Sequence, residues 1–207
     1  MIDSYLQSET SLDDHSIHLL FSANRWERAS YISQSLAEGY TVICDRYSYS
    51  GAIYSAAKLN PLLPFGWAHA PEVGLPKPDL IVFLDLSPEN TAKRGGYGEE
   101  RYEKREMQEW VRSFYVTIGA FQTASEGHED MVIVPAGKEI DEVAKDVLVK
   151  VLPRVERFEG AEAVANEIPR IQVRNPAEEK NFMQNVRMMH DTLGYGGKSH
   201  TIEDIEP

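Results

Sequence analysis

The sequence predicts an α/β fold, a parallel sheet flanked by helices, and three observations carry that prediction. First, three short apolar runs rich in β-branched residues, "TVICD" (41–45), "PDLIVFLDL" (78–86) and "DMVIVPA" (130–136), read as buried strands. Second, helical patterns separate them, and strands alternating with helices pair in parallel. Third, the charged or turn-forming residues that end each run fall at the carboxyl edge, where such sheets bind their ligands.

Taken in order, the segment from Ser11 to Gly39 reads as one long helix or two abutting ones, with Ser11 as its capping residue. Ile17, Leu20, Phe21 and Trp26 recur there at helical spacing. "TVICD" follows as the first strand, then a helix from Tyr49 to Lys58, a loop containing Pro and Trp, and the second strand from Pro78 to Leu86. "SPENTAKR" starts a further helix capped by Ser87. "GGYGEERYE" interrupts it, "MQEWVRSFYVTIGAFQ" resumes it, and "DMVIVPA" supplies the third strand. From Glu159 the composition changes, and "EGAEAVANEIPRIQVRNPAEEK" contains little core-forming periodicity. The expected organisation is a domain over 1–158 and a partly helical tail over 159–207 without an assigned role, whose final amphipathic stretch either packs on the domain or stays free of it.

A chain of 207 residues, 42% hydrophobic and 26% charged, is long enough to bury a sizeable core. Its formal charge of -12 opposes attraction to a nucleic-acid backbone or an anionic membrane, and no basic patch offsets it. No apolar run has the length of a membrane span, and "IDSYLQSET" after Met1 is unlike a signal peptide. The expectation is a soluble, cytoplasmic protein, with the nucleus left open. The single cysteine, Cys44, excludes an intramolecular disulfide and a cysteine-built zinc site, and its place in "TVICD" predicts a small buried thiol. His15 and His18, near Asp14, have helical spacing but no further ligand set, so they read as a helix face and no metal site is assigned.

Two stretches raise the question of phosphate binding. "GYGGKSH" (194–200) ends like a phosphate-cradling loop, but the pattern G-x-x-x-x-G-K-S/T needs a glycine where Thr192 stands. The residues before it look helical and only "HTIEDIEP" follows, so it reads as a glycine-rich helix stop. "DRYSYSG" is different, because the strand before it delivers Asp45 and Arg46 to the carboxyl edge of the sheet. There Arg46 can clamp a phosphate and Asp45 can stand near a metal or the reacting oxygens, the alternative being a salt-bridged turn.

"HLLFSANRWE", "VICDRYSYSGAIYSAAK", "GLPKPDLIVFLDL" and "AKRGGYGEERYE" occur in this order, and together they resemble thymidylate kinase of the eukaryotic type, from about Met1 to Ala136. The resemblance implies a P-loop-kinase-like fold and transfer of the ATP γ-phosphoryl group to dTMP, with Mg2+. It implies that Phe21 stacks on thymine, Arg25 bonds the base edge, Arg46 grips the acceptor phosphate, and Ser50 and Gly51 line the pocket floor. Tyr54 matches the aromatic that disfavours ribose, and Leu6 an apolar contact to the nucleotide. "RGGYGEERYE" matches the lid: Arg94 packs on adenine with Arg101 beside it, and Tyr102 and Gln108 reach toward the acceptor. A homodimer pairing through "HSIHLLFSANRW" is implied as well.

In the family, a strand, a P-loop and its helix, and a second strand precede the point where "MIDSYLQ" begins, a unit of roughly 30 residues or more. The expectation is therefore a sheet without the family's first two strands, and a chain that is inactive by itself for lack of a P-loop. One alternative is a non-catalytic short form, or an internal start in a longer gene product, that binds only the acceptor or a partner. The other is a deoxynucleoside kinase, against which "GLPKPDL" and the "FSANRW" helix argue.

Overall fold

The structure, a computed structural model, describes residues 1–91, 101–102, 104–125, 131–159, 171 and 176–195. Strand β1 (Ile81–Asp85) pairs in parallel with β2 (Met131–Pro135), in register from Ile81 opposite Met131 to Asp85 opposite Pro135. This is the parallel α/β arrangement that the sequence predicts. Helices α5 (Pro88–Thr91) and α6 (Arg105–Ser125) lie in the crossover that a parallel pair requires. Ser87 stands at the head of α5 as expected, its carbonyl accepting from the Asn90 and Thr91 amides.

Helix α6 buries Val111, Phe114, Tyr115 and Ile118, residues spaced three and four apart on one face. Phe83 of β1 stacks on Tyr115 at 4.2 Å, which ties that face to the sheet. Two hydroxyls buried with it, Ser113 and Thr117, donate to the carbonyls of Glu109 and Ser113 one turn back. Helix α7 (Ile140–Glu159) flanks β2. Packed into the same core as α6 are α3 (Ser48–Ala56), which supplies Ala52, Ile53 and Ala56, and α4 (Phe65–His69), which supplies Phe65.

The chain after Glu159 contributes to this same core. Helix α8 (Pro176–Thr192) buries Phe182 and Val186, and the Phe182 ring lies 5.0 Å from Phe65 and 6.0 Å from Phe114. His190 stacks on Trp110 at 3.7 Å. Upstream, Ile171 exchanges two backbone hydrogen bonds with Gly74 and Leu75. Replacing Phe182, 5% exposed, with Ala removes an aromatic side chain from a packed cluster. The expected loss of stability is about 3–5 kcal/mol, read by urea denaturation, and a loss below about 1 kcal/mol would mean that α8 does not share the core.

Three local expectations need correction. Residues 41–44 form no strand: Ile43 is 89% exposed, and Cys44 is exposed instead of buried. The physical reason is that a strand needs a neighbour for its N–H and C=O groups. Among the described residues the sheet consists of β1 and β2 alone, and neither pairs with 41–44. Next, the segment forms one long helix, the first of the two expected forms, α2 (Asp14–Ala37), but its cap is Asp13 in place of Ser11, since the Asp13 carboxylate accepts from the His15 and Ser16 amides. Lastly, the loop expected after α3 contains α4 and a 3-10 turn, Ala70–Glu72.

Candidate functional site

Helix α3 is the platform of the site, and the residue that leads into it has an unusual backbone. Arg46 adopts φ 62°, a left-handed conformation that costs a non-glycine residue energy and that clusters at functional sites. Its guanidinium carbon lies 4.8 Å from the centre of the Tyr54 ring, two helical turns along α3. Tyr54 meets Tyr102 edge-on at 5.6 Å, and Gln108 donates to the Tyr102 carbonyl at 2.6 Å. Burial first, and a hydrogen bond with Tyr5 second, raise the pKa of the Tyr102 hydroxyl, which stays protonated. Ser50 accepts from the Tyr115 hydroxyl at 3.3 Å.

The short helix α1 (Ile2–Leu6) closes one side of this cluster. Leu6 is half-buried, and its carbonyl accepts from the Arg101 amide. The Arg101 guanidinium donates to the carbonyls of Tyr5 and Thr10, at 3.0 and 2.7 Å, and lies 4.1 Å from the Tyr5 ring centre. Arg101 thus fastens its own part of the chain to α1. Lys58, at the end of α3, donates to Asp14 and to the Tyr5 hydroxyl. Tyr5 and Lys58 escape sequence reasoning because their partners are about 50 positions away; an apolar "Tyr-Leu" pair and a helix-ending lysine are too common to signal a site.

A second group lies one turn away along the same helix. Arg25 of α2 donates through Nε and Nη2 to the two carboxylate oxygens of Glu72, at 2.6 and 2.5 Å. Its guanidinium rests on Gly51, where a Cβ would stand 2.6 Å from Nη2 and 2.9 Å from Cζ. Half-buried Phe21 precedes Arg25 by four residues on α2, which puts both on one helix face. Beneath them, His18 is buried with Nδ1 2.7 Å from the Ser55 hydroxyl, and burial holds its imidazole below its usual pKa, hence neutral at pH 7. Glu72 carries one sequence signal alone, that of an acidic residue between Pro71 and Gly74 in an apolar stretch.

The structure therefore brings together Leu6, Arg25, Arg46, Ser50, Gly51, Tyr54, Arg101, Tyr102 and Gln108, all within reach of α3 or α1. Asp45 is exposed beside Arg46, and Arg94 lies outside the described residues. No group of three or more His, Cys, Asp or Glu side chains converges among the described residues. A Mg2+ ion carried by nucleotide phosphates needs only one or two carboxylates from a protein, and exposed Asp45 fits that need. Asp85, at the end of β1, is committed to a bidentate pair with Arg112, which also donates to the Tyr195 hydroxyl.

A family model described as thymidylate kinase matches residues 1–147. A thymidylate kinase of Arabidopsis thaliana is 47% identical over 155 residues, covering 75% of this chain and 55% of that protein. The Dictyostelium discoideum enzyme is 44% identical over 152 residues, covering 71% of this chain and 62% of that protein. For the Homo sapiens enzyme the figures are 42% over 150 residues, 72% and 67%. The solved structure of the Candida albicans thymidylate kinase superposes with a TM-score of 0.69 at 35% identity, covering 83% of this chain and 79% of that one. The chain thus spans little more than half the length of the first two relatives.

Proposed function

The chain belongs to the thymidylate kinase family, and on that premise we propose that it holds the acceptor in the transfer of the ATP γ-phosphoryl group to dTMP, which yields dTDP. One observation supports this reading above the others: Arg25 lies on Gly51, and Arg46 lies on Tyr54, so that two guanidinium groups flank one face of α3. Gly51 and Tyr54 are separated by one helical turn, which suits a nucleotide held at both ends, base toward Arg25 and phosphate toward Arg46. In this reading Phe21 stacks on the thymine ring, Leu6 packs on the nucleotide, and Ser50 and Gly51 form the floor. Tyr54 stands against the sugar, Tyr102 and Gln108 close on the acceptor from the lid side, and Arg94 packs against adenine.

The chemistry needs little covalent help from the protein, because phosphoryl transfer is governed by positioning and charge neutralisation. Arg46 orients the acceptor phosphate and offsets its charge. Asp45, exposed next to Arg46, would hold the Mg2+ that arrives with ATP and shields the phosphate charges. Residues 1–207 contain no G-x-x-x-x-G-K-S/T sequence, so these residues by themselves bind the acceptor without supplying the backbone cradle for the ATP phosphates. The 1–158 region carries every one of these roles, while 159–207 serves through α8 as packing. Pairing of two chains through α2, which exposes Leu19 and Trp26 seven residues apart on one face, completes the proposed assembly. No helix among the described residues is long and apolar enough to cross a membrane, and the proposed compartment is the cytoplasm.

Calorimetric titration of dUMP and UMP, which differ only in the 2′-hydroxyl, tests this reading through Tyr54. The unmodified chain is expected to prefer the deoxy form, and Tyr54→Gly to bring the two affinities within about threefold by removing the bulk that excludes the hydroxyl, a difference of the order of 1–3 kcal/mol. An unchanged deoxy-to-ribo ratio would count against a sugar-facing Tyr54. Failure of the unmodified chain to bind dTMP or dUMP would sink the acceptor site as a whole.

A further inference from the structure

The Arg25–Glu72 pair is built more elaborately than a structural ion pair requires. Glu72 is 0% exposed and the Arg25 side chain 12%. A buried carboxylate is costly unless both oxygens are satisfied, and here each takes one N–H of the guanidinium fork. The turn that carries Glu72 is itself fastened to α2. The Pro71 carbonyl accepts from the Trp26 indole at 2.7 Å and from the Ser22 hydroxyl at 3.3 Å. Ser22, Arg25 and Trp26 therefore anchor the Ala70–Glu72 turn from one side of one helix.

The geometry of the pair leaves a defined remainder. Nε and one N–H of Nη2 form the side of the guanidinium and belong to Glu72, so the unassigned donors are the two N–H groups of Nη1 and the outer one of Nη2. These form the end fork of the same plane, while Gly51 lies against the face of the group at Cζ, Nη1 and Nη2. A methyl group at position 51 would collide with it, so the absence of a side chain is what lets the guanidinium lie over α3. An end fork with donors only complements a keto oxygen and opposes an exocyclic amine.

We propose that Glu72 is a positioning residue: it fixes the side of the Arg25 guanidinium so that the end fork faces the base, and the choice of 4-keto over 4-amino pyrimidine nucleotides depends on it. This rests on the acceptor-site reading above, which places a pyrimidine at Arg25. With Glu72 neutral, an amide accepts through one atom only and presents its own N–H groups to the guanidinium. Arg25 is then free to rotate, and the end fork no longer has one direction.

The test is calorimetric titration of dTMP and dCMP into the full 207-residue chain. Glu72→Gln is expected to weaken dTMP binding about 10- to 100-fold and to leave dCMP within twofold, so that the preference collapses. In the Arg25→Gln background, Glu72→Gln should change neither affinity further. A merely structural Glu72 would lower the melting temperature and leave the dTMP-to-dCMP ratio intact, and that result would overturn the proposal. Should Glu72→Gln not fold, the Arg25 Nε–H resonance of the unmodified chain decides. Slow exchange with solvent, both free and with dTMP, is expected; rapid exchange, or release when dTMP binds, would overturn it. If the unmodified chain binds no dTMP, the acceptor site itself fails and this inference falls with it. If it binds dTMP and the Glu72→Gln ratio is unchanged, only this inference falls.

Discussion

Residues 1–207, purified alone, are expected to bind dTMP and, with ATP and Mg2+ present, to release no ADP above background. The proposed acceptor residues cluster at α1, α2 and α3, but the β- and γ-phosphates of ATP depend on consecutive backbone N–H groups and a lysine at a strand-to-helix junction. Gly197, Lys198 and Ser199 carry the right letters and lie outside the described residues. What precedes them is α8, and Thr192, at the place of the needed first glycine, is its last residue, with its hydroxyl bonded to the Met188 carbonyl. Gly194 then turns the chain at φ 82°, which is how a helix stops. A helix C-terminus presents carbonyl groups and a partial negative charge, the opposite of what a phosphate needs. Loss of one transition-state donor costs about 10²–10³ in rate, and here a whole row of them is at issue. Fusing a strand, P-loop, helix and strand from a relative ahead of Met1 should therefore raise ADP release at least about 10³-fold. Robust turnover by residues 1–207 alone would show that the donor phosphates bind somewhere else.

The parts of this molecule that sequence reasoning recovers are those whose causes are local. Strands β1 and β2 follow from apolar runs of the right length. The core face of α6 follows from the spacing of Val111, Phe114, Tyr115 and Ile118. The "DRYSYSG" stretch leads into α3 and "FSANRW" lies within α2, the helices on which the proposed site is built. What escapes is set by partners distant in sequence. "TVICD" has the composition of a strand, but composition cannot supply the neighbouring strand against which its backbone would bond. The sequence around Asp13 offers two good caps, Ser11 and Asp13, and only the path of the chain into α2 chooses between them. Glu72 is one of 33 acidic residues, and nothing nearby announces that Arg25, 47 positions earlier, will bury it. The contribution of α8 is hidden for a related reason. Phe182, Val186 and His190 are a sparse stripe in a polar helix, and they become core residues only because Phe65, Phe114 and Trp110 lie opposite.

Arg46→Ala is expected to weaken dTMP binding about 10- to 100-fold while leaving thymidine, which lacks the phosphate, within twofold. The other cations of this site are already engaged. Arg25 is held by Glu72, Lys58 by Asp14, Arg112 by Asp85, and Arg101 by two main-chain carbonyls. Arg46 differs: among the described residues no carboxylate is in salt-bridge contact with it, and its guanidinium rests on the face of the Tyr54 ring. An aromatic face steadies a guanidinium without using up its N–H donors in the ring plane, and those donors suit the paired oxygens of a phosphate. The left-handed backbone at Arg46 points the same way, since the strain of about 1–2 kcal/mol persists with Ala and is not what the substitution removes. A small change in melting temperature should thus accompany a large change in dTMP affinity, and Arg46→Lys, which keeps the charge and loses the fork, should fall between the two. Equal weakening of dTMP and thymidine would mean that Arg46 shapes the pocket without reading the phosphate. A dTMP affinity within twofold of the unmodified chain would remove Arg46 from the site.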